Sequence, residues 1–298
     1  MPAEFTLPSY GKINWLLRIL GKRADGYHEL CTLFQTISLH DRLSFSESDT
    51  LLLECEGTSV PTGNENLIIR AAKALQYRFN KKNGARILLD KGIPSPGGLG
   101  GGSSNAAVAL IGLRKLWNLD ASAEELSAIG AEIGSDVPFF LHGGTAIGTG
   151  RGEIIESTSE IREEFMLVVT PNVAVSTRDA FAEFDTSNLT MDDPESILRV
   201  CRFTGESRDL RNKTLINDFE SSVFRVHPEI ARVKNTLLGL GARQALMSGS
   251  GASVFAVFDK EETRQTALKA LDIESTWRKF AVATISRSEY REALHLAY

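Results

Sequence analysis

Apolar and polar residues alternate along the first fifty positions of the chain, which is the pattern of β-strands. Ile13, Trp15, Leu17 and Ile19 occupy every second position, as they would on one face of a half-buried strand. The turn-rich segment 21–26 then interrupts the alternation. The same kind of pattern predicts further strands at residues 33–39, 42–46, 51–54 and 85–90.

The period lengthens to that of an α-helix in three later segments of the first half. Residues 66–79 place their apolar side chains on one face, and residues 106–117 show a strong helical pattern. A third helix is predicted at residues 123–133, because Ser122 and Glu125 have the spacing of a capping box at its start.

The second half of the chain mixes the two periods again. A hairpin is predicted at 143–155, a buried strand at 165–170, helices across 177–240, strand–turn–strand at 245–258, a helix at 262–271 and a strand at 280–285. Strands and helices do not follow a strict βαβ rhythm, which favours two α+β domains. The polar stretch 156–164 is the predicted boundary, giving domains 1–160 and 161–298.

Composition and charge exclude several classes of protein. The 298 residues are 42% hydrophobic and 24% charged, so the chain can bury a core and wholesale disorder is excluded. Its net charge of -5 disfavours a nucleic-acid-binding protein. Cys31, Cys55 and Cys201 lie far apart in no CxxC pairing, so we predict reduced cysteines and no zinc site.

No targeting or membrane segment is predicted. The N-terminal residues lack the basic and apolar regions of a signal peptide, and no apolar run approaches the length of a membrane span. We therefore expect a cytoplasmic protein without a membrane or nucleic-acid partner, working as a monomer or a weak homodimer.

A glycine-rich loop is the first feature that points to chemistry. Residues 94–104 contain five glycines and lead directly into a predicted helix. Glycines let the backbone approach a ligand, and a helix N-terminus offers unpaired N–H groups to an anion. A flexible linker is the alternative, but the loop lies between a strand and a helix inside a domain. The Walker A and dinucleotide fingerprints are absent.

The loop resembles the ATP loop of the GHMP kinases, named for galactose, homoserine, mevalonate and phosphomevalonate kinases. Residues 94–106 carry this likeness (Pro-Ser-Pro-Gly-Gly-Leu-Gly-Gly-Gly-Ser-Ser-Asn-Ala). Two further family motifs occur in the right order, at residues 11–14 (Gly-Lys-Ile-Asn) and 248–252 (Ser-Gly-Ser-Gly-Ala). The resemblance extends from about residue 6 to about residue 290.

One branch of that family is matched more closely. Its most specific motif corresponds to residues 20–29 (Leu-Gly-Lys-Arg-Ala-Asp-Gly-Tyr-His-Glu), supported by residues 66–72 and 134–139. Two departures stand out: Tyr10-Gly11 replaces the usual Pro-Ala, and Pro96 replaces a small flexible residue. Proline has no N–H, so position 96 cannot donate to a phosphate.

The resemblance implies a fold and an activity. The fold is an α+β, two-domain GHMP kinase fold, with an N-terminal ribosomal-protein-S5-like domain and a C-terminal ferredoxin-like α/β domain. The implied donor is ATP with Mg²⁺. The implied acceptor is the 2-hydroxyl of 4-diphosphocytidyl-2-C-methyl-D-erythritol, an intermediate of the non-mevalonate isoprenoid pathway.

Three other functions remain open at this stage. A GHMP kinase of the homoserine or mevalonate type would not need the Tyr27–His28 pair. An inactive small-molecule binder on the same fold would not need both Lys12 and Asp136. An RNA-binding module is disfavoured by the net charge of -5.

Asp136 is the candidate catalytic base. It lies between Gly134 and Pro138, where a loop can present a carboxylate to a cleft, although an Asp at this position can also cap the next helical turn. The resemblance favours the catalytic role and makes Lys12 its cationic partner, which orients the acceptor and attracts the γ-phosphate. Asn14 lies two residues further on, on the same strand face, and is a candidate ligand of the acceptor.

The resemblance also implies the binding residues. Tyr27 is expected to stack on the base and His28 to read its edge, with Phe181 and Thr177 as further acceptor contacts. Packed core positions are the alternative for Tyr27 and Phe181. The candidate ATP-binding residues are Asn66, Lys91, Pro94, Gly97, Gly98, Leu99, Gly100, Gly101, Gly102, Ser103 and Ser104. Asn66 can equally cap its helix, and no carboxylate cluster identifies magnesium ligands.

Overall fold

A computed structural model describes residues 4–56, 60–184 and 215–296, together with residues 198, 199, 201, 202, 204, 206, 210 and 213. The described strands form two sheets, one from each half of the chain. No helix in these residues is long and apolar enough to cross a bilayer.

The first sheet has six strands, of which two are long. Its strands are β1 (Phe5–Lys22), β2 (His28–Ser46), β3 (Leu51–Glu56), β4 (Ala85–Asp90), β5 (Thr145–Gly150) and β6 (Ile154–Ser157). The order is β3-β4-β2-β5-β6, with β1 paired to β2, and every pairing is antiparallel except β3 with β4. Register shifts in the β1–β2 hairpin, one of them between Asn14 and Leu16, mark local bulges.

Four helices share an apolar core with this sheet. They are α1 (Leu67–Arg78), α2 (Gly101–Leu116), α3 (Ala123–Ile133) and α4 (Val137–His142). Helix α2 is buried without interruption over residues 104–113, because its small and apolar residues continue until Arg114. It is thus surrounded by the sheet and its neighbouring helices, which fixes the position of its N-terminus.

The second sheet has four antiparallel strands. They are β7 (Met166–Thr170), β8 (Gln244–Met247), β9 (Val254–Val257) and β10 (Arg278–Val282), in the order β10-β7-β9-β8. The helices after β7 whose bounds the structure describes are α5 (Thr177–Glu183), α6 (Glu220–Val226), α7 (Pro228–Gly239), α8 (Glu261–Ala270), a 3-10 turn (Leu271–Ile273) and α9 (Arg287–Ala293).

The two halves are joined through β1 and the C-terminal helix. Leu17 on β1 donates its N–H to the carbonyl of Ile216 and accepts from the N–H of Asp218, at 2.8 and 3.0 Å. Helix α9 packs back onto the first core, where the fully buried Tyr290 donates its hydroxyl to the carbonyl of Phe140 at 2.5 Å. The predicted domain boundary near residue 160 lies in the connection between β6 and β7 and stays a prediction.

Most predicted elements are present, and the differences have physical causes. The capping box of Ser122 and Glu125 opens α3 as predicted. The predicted strands 33–39 and 42–46 are parts of the single strand β2, because its bulges shift the alternation. Helix α2 begins at Gly101 rather than 106, and α4 and α9 were not predicted since each has only about two turns. Part of the predicted helical region 177–240 lies outside the described residues.

The expectation of three reduced cysteines is wrong for two of them. Cys31 on β2 and Cys201 are joined as a disulfide, with Cα atoms 6.6 Å apart and a sequence separation of 170 residues. Both side chains are buried. Spacing along the sequence carried no signal for this pair, because the fold brings together segments that are distant in the chain. Cys55 is free.

Candidate active site

A cleft of about 720 Å³ gathers most of the predicted site residues, from both halves of the chain. Its lining includes Lys12, Asn14, Tyr27, His28, Pro94, Gly97, Gly98, Leu99, Gly100, Gly101, Gly102, Ser103, Asp136, Thr177 and Phe181. Asn66, Lys91 and Ser104 do not line this cleft.

Lys12 and Asp136 face each other in the cleft. The Lys12 ammonium lies 3.7 Å from an Asp136 carboxylate oxygen, and the two side chains are 4% and 32% exposed. Burial lowers the pKa of Lys12, while the Asp136 charge opposes that shift. The Asp136 side chain makes no capping hydrogen bond to α4, so its carboxylate remains directed to the cleft rather than to the helix. This arrangement can accept a proton and stabilise negative charge at one point.

Asn14 connects this pair to the sheet. Its amide oxygen accepts a hydrogen bond from the Lys12 ammonium at 2.8 Å, and its NH₂ group donates to the Thr32 hydroxyl at 2.7 Å. Asn14 is buried, so the side chain predicted to bind the acceptor is already engaged with two neighbours. Sequence reasoning did not identify Thr32, because its partner lies on a different strand.

The glycine loop adopts a backbone that side chains would obstruct. Gly98 and Gly100 have left-handed φ values of 70° and 69°, and Gly100 is the residue that precedes the first turn of α2. A Cβ on Gly98 would lie 2.1 Å from the carbonyl oxygen of Ser248. The tight path turns the first turn of α2, with its unpaired N–H groups, towards the cleft.

A second glycine turn, residues 248–251, supports the loop from the C-terminal half. The Ser248 hydroxyl donates to the carbonyl of Gly98 at 2.9 Å, and the Ser253 N–H donates to the carbonyl of Gly97 at 3.2 Å. Asn217 holds this turn in place, because its NH₂ group donates to the carbonyls of Met247 and Gly249. Asn217 has no recognisable motif and was missed in the sequence.

Aromatic side chains occupy the other end of the cleft. The rings of His28 and Phe181 are stacked, with centroids 4.8 Å apart and planes 12° apart. Desolvation lowers the pKa of His28, which favours the neutral ring that can both donate and accept. Tyr27 is 55% exposed, and the Arg151 guanidinium lies 4.9 Å from its ring centroid. Thr177 contacts Ser250 through their hydroxyls at 3.1 Å.

Arg151 was not identified from the sequence, although it lines the same cleft. The Arg151 guanidinium lies against the Tyr27 ring and pairs with the Glu153 carboxylate at 3.2 Å. Arg151 directly follows β5, and the pairing of β5 with β2 brings it to the cleft, which the sequence pattern does not reveal.

Asn66 and Lys91 lie together in a smaller adjoining cleft of about 190 Å³, which shares Leu67, Ser95 and Gly102 with the main one. Asn66 caps α1 by accepting from the Ile68 N–H at 2.9 Å. The Lys91 ammonium is buried against the Asp41 carboxylate at 2.6 Å. Both residues therefore have structural partners in addition to their place in this cleft.

Ser104 is the predicted residue that the structure keeps apart from both clefts. Its side chain is fully buried, and its hydroxyl accepts from that of Ser9 at 2.7 Å. Ser103, one position earlier, does line the cleft. Across the described ranges, no three His, Cys, Asp or Glu side chains come together as a metal-binding group.

A glycine loop at a helix N-terminus, facing a Lys–Asp pair, defines a class of proteins: kinases that phosphorylate small molecules. The comparisons with known proteins agree with this class. Residues 66–144 match the family model of the GHMP kinases N terminal domain, and residues 203–275 match that of the GHMP kinases C terminal domain.

Full-length relatives are more specific. The chain is 40% identical to 4-diphosphocytidyl-2-C-methyl-D-erythritol kinase of Syntrophotalea carbinolica, over 92% of this chain and 97% of the relative. It is 43% identical to the enzyme of the same name from Moorella thermoacetica, over 87% and 91%. A crystal structure of 4-(cytidine 5'-diphospho)-2C-methyl-D-erythritol kinase matches with a TM-score of 0.77 and 33% identity, over 94% of this chain and 99% of that one.

The chain belongs to the 4-diphosphocytidyl-2-C-methyl-D-erythritol kinase family of the GHMP kinases. The predicted fold class is confirmed with it. A homoserine kinase from Cytophaga hutchinsonii also matches, with a TM-score of 0.73 at 16% identity, covering 96% of each chain, and shares the fold alone.

Proposed function

We propose that the protein transfers the γ-phosphoryl group of ATP to the 2-hydroxyl of 4-diphosphocytidyl-2-C-methyl-D-erythritol. The observation that carries this proposal is the Lys12–Asp136 pair at 3.7 Å, in one cleft with the glycine-preceded N-terminus of α2. The relatives' shared name supports the identity of the acceptor.

In the proposed chemistry, Lys12 and Asp136 act on the acceptor hydroxyl and on the γ-phosphoryl group of ATP. Asp136 accepts the proton of the acceptor hydroxyl while the hydroxyl oxygen forms a bond to the γ-phosphorus. The bond from that phosphorus to the β,γ-bridging oxygen breaks, and ADP leaves with the electron pair. The Lys12 ammonium stabilises the negative charge on the transferring group, in a site where burial strengthens the interaction.

Mg²⁺ fits this cleft as an ion carried by the nucleotide. Its preferred ligands are oxygens, and the Ser103 hydroxyl lies in the cleft beside the phosphate loop, where it would complement the phosphate oxygens. The ion would neutralise charge on the β- and γ-phosphates and hold them in line with the acceptor.

The aromatic end of the cleft suits a cytidine diphosphate. A base can stack on the exposed Tyr27 ring, and neutral His28 can pair with its edge. The Arg151 guanidinium offers a counter-charge for the diphosphate between the base and the methylerythritol. A homoserine or mevalonate acceptor would leave these three side chains without a ligand, which is why the cytidylated acceptor is favoured.

The cellular setting follows the sequence-based expectation. We propose that the enzyme works in the cytoplasm as a monomer or weak homodimer. Ultracentrifugation of the purified chain with and without ATP tests the oligomeric part of this statement.

The test is ADP release measured with a panel of acceptors: the cytidylated methylerythritol, homoserine, mevalonate and galactose. We expect turnover with the first and background rates with the others. Asp136→Asn should lower kcat by about 10²–10⁴-fold, since it removes the proton acceptor. Asp120→Asn, the same change at an exposed carboxylate outside the cleft, is the matched control and should keep wild-type activity. Turnover with homoserine instead would refute the proposed acceptor.

A further inference from the structure

We propose that Thr32 is a positioning residue for this reaction: its hydroxyl holds the Asn14 amide so that the amide oxygen faces the Lys12 ammonium. The inference rests on the proposed function, because it concerns how that site keeps its cation in place. Thr32 lies on β2, lines the cleft and is 1% exposed. Its hydroxyl forms hydrogen bonds with Asn14 and Leu16 and not with Lys12 or Asp136, so Thr32 acts through Asn14.

The direction of each hydrogen bond follows from the single proton of the Thr32 hydroxyl. That proton is donated to the carbonyl of Leu16 at 2.7 Å, next to the bulge in β1. The hydroxyl oxygen can then only accept, and it accepts from the Asn14 NH₂ group at 2.7 Å. The other end of the amide, its oxygen, is thereby turned to the Lys12 ammonium at 2.8 Å.

The orientation matters because the two ends of an amide have nearly the same shape and opposite hydrogen-bonding character. A rotated Asn14 would present its NH₂ group to the Lys12 ammonium, so that donors face donors. Lys12 is buried, and each lost acceptor makes its charge harder to maintain. The Leu16 carbonyl therefore sets the direction of the Thr32 hydroxyl, which sets the orientation of the Asn14 amide beside Lys12.

Three substitutions on β2 separate this role from simple packing. Thr32→Val keeps the shape and removes the hydroxyl, and Thr32→Ser keeps the hydroxyl and removes the methyl group. Thr36→Val is the matched control, because Thr36 is also fully buried on β2 but its hydroxyl has no hydrogen-bond partner among the residues that the structure describes. Thermal unfolding of each variant monitors the fold. If Thr32→Val does not fold, Thr32→Ala replaces it with the same expectations.

We expect Thr32→Val to lower kcat about tenfold, the effect of one misplaced buried hydrogen bond, with the KM of ATP changed less than about threefold. The alkaline limb of its kcat–pH profile should move to lower pH, because Lys12 loses its proton more easily. Thr32→Ser should restore most of kcat, and Thr36→Val should match the wild type. Wild-type kinetics in Thr32→Val, or an unmoved pH profile, would overturn the proposal.

A double-mutant cycle tests whether the effect passes through Asn14. In an Asn14→Ala background, Thr32→Val should lower kcat no further. An additive loss of kcat would contradict an effect that passes through Asn14. A second readout does not need turnover: the NMR titration of lysine ¹³Cε, with Lys12 assigned by Lys12→Met. Thr32→Val should lower the Lys12 midpoint. If the wild type phosphorylates no acceptor, the proposed function fails, while this titration still tests Thr32.

Discussion

Gly100→Ala is the substitution whose consequences the structure defines best. Gly100 has φ 69°, a conformation that costs an L-residue about 1–2 kcal/mol. The new Cβ would also lie 2.7 Å from the Phe140 ring and 3.0 Å from Lys12 Cγ. Overpacking of this kind costs about 1–3 kcal/mol, so the substitution disfavours the observed loop by about 2–5 kcal/mol.

The loop can relieve this strain by moving away from the start of α2, and then the N–H groups no longer converge on a phosphate. Even the lower figure of about 2 kcal/mol corresponds to a loss of about 30-fold in ATP affinity. The acceptor contacts at Tyr27 and His28 lie at the other end of the cleft, so acceptor affinity should change much less. Calorimetric titration of each ligand separately measures both.

Gly102→Ala is the matched control within the same loop. Its nearest neighbour would be Leu67 Cδ1 at 3.7 Å, an ordinary contact, and its φ is not left-handed. Thermal unfolding should therefore show Gly102→Ala to be at least as stable as the wild type and Gly100→Ala to be less stable. If Gly100→Ala binds ATP with wild-type affinity at wild-type stability, the argument from the left-handed backbone is refuted.

Four further predictions concern other parts of the molecule. Tyr27→Ala should lower kcat/KM for cytidine and uridine acceptor analogues together, about 5- to 160-fold, because stacking does not distinguish bases. His28→Ala should instead reduce the preference for cytidine, with the KM of ATP unchanged. Burial lowers the pKa of His142 from 6.5 to about 4, so the unfolded chain binds this proton at a higher pH than the folded chain. The His142 contribution to stability is therefore lost as pH falls from 6.5 towards 4. Thermal unfolding of His142→Gln should show a smaller fall in stability over this pH range than the wild type. Ser248→Ala should raise the KM of ATP about 3- to 10-fold and spare that of the acceptor, since it removes only the support of the Gly98 carbonyl.

The sequence was informative wherever function depends on local geometry. Because side chains alternate between the two faces of a strand, Lys12 and Asn14 were predicted to lie on the same face, and they do share a hydrogen bond. The glycine run ending at a helix start predicted the loop at the N-terminus of α2, as observed. These features need only neighbouring residues, so a pattern along the chain can carry them.

Features that depend on pairing between distant segments had no such pattern. Thr32 reaches Asn14 only through the register of β1 with β2, and a bulge shifts that register. Arg151 enters the cleft only because β5 pairs with β2, and Cys31 meets Cys201 across 170 residues. Strand register and long-range packing depend on the whole core, and the pattern of single polar residues along a strand does not predict them.

The most direct test of the central claim is a proton-coupled ³¹P NMR spectrum of the wild-type reaction with ATP, Mg²⁺ and 4-diphosphocytidyl-2-C-methyl-D-erythritol. The carbon at position 2 carries a methyl group and no hydrogen, so a phosphate ester there has no proton on its ester carbon. We predict a new phosphomonoester singlet that grows as the γ-phosphate signal of ATP declines, and that is absent with Asp136→Asn. A new signal split by protons on the ester carbon, or no new ester at all, would contradict the assignment.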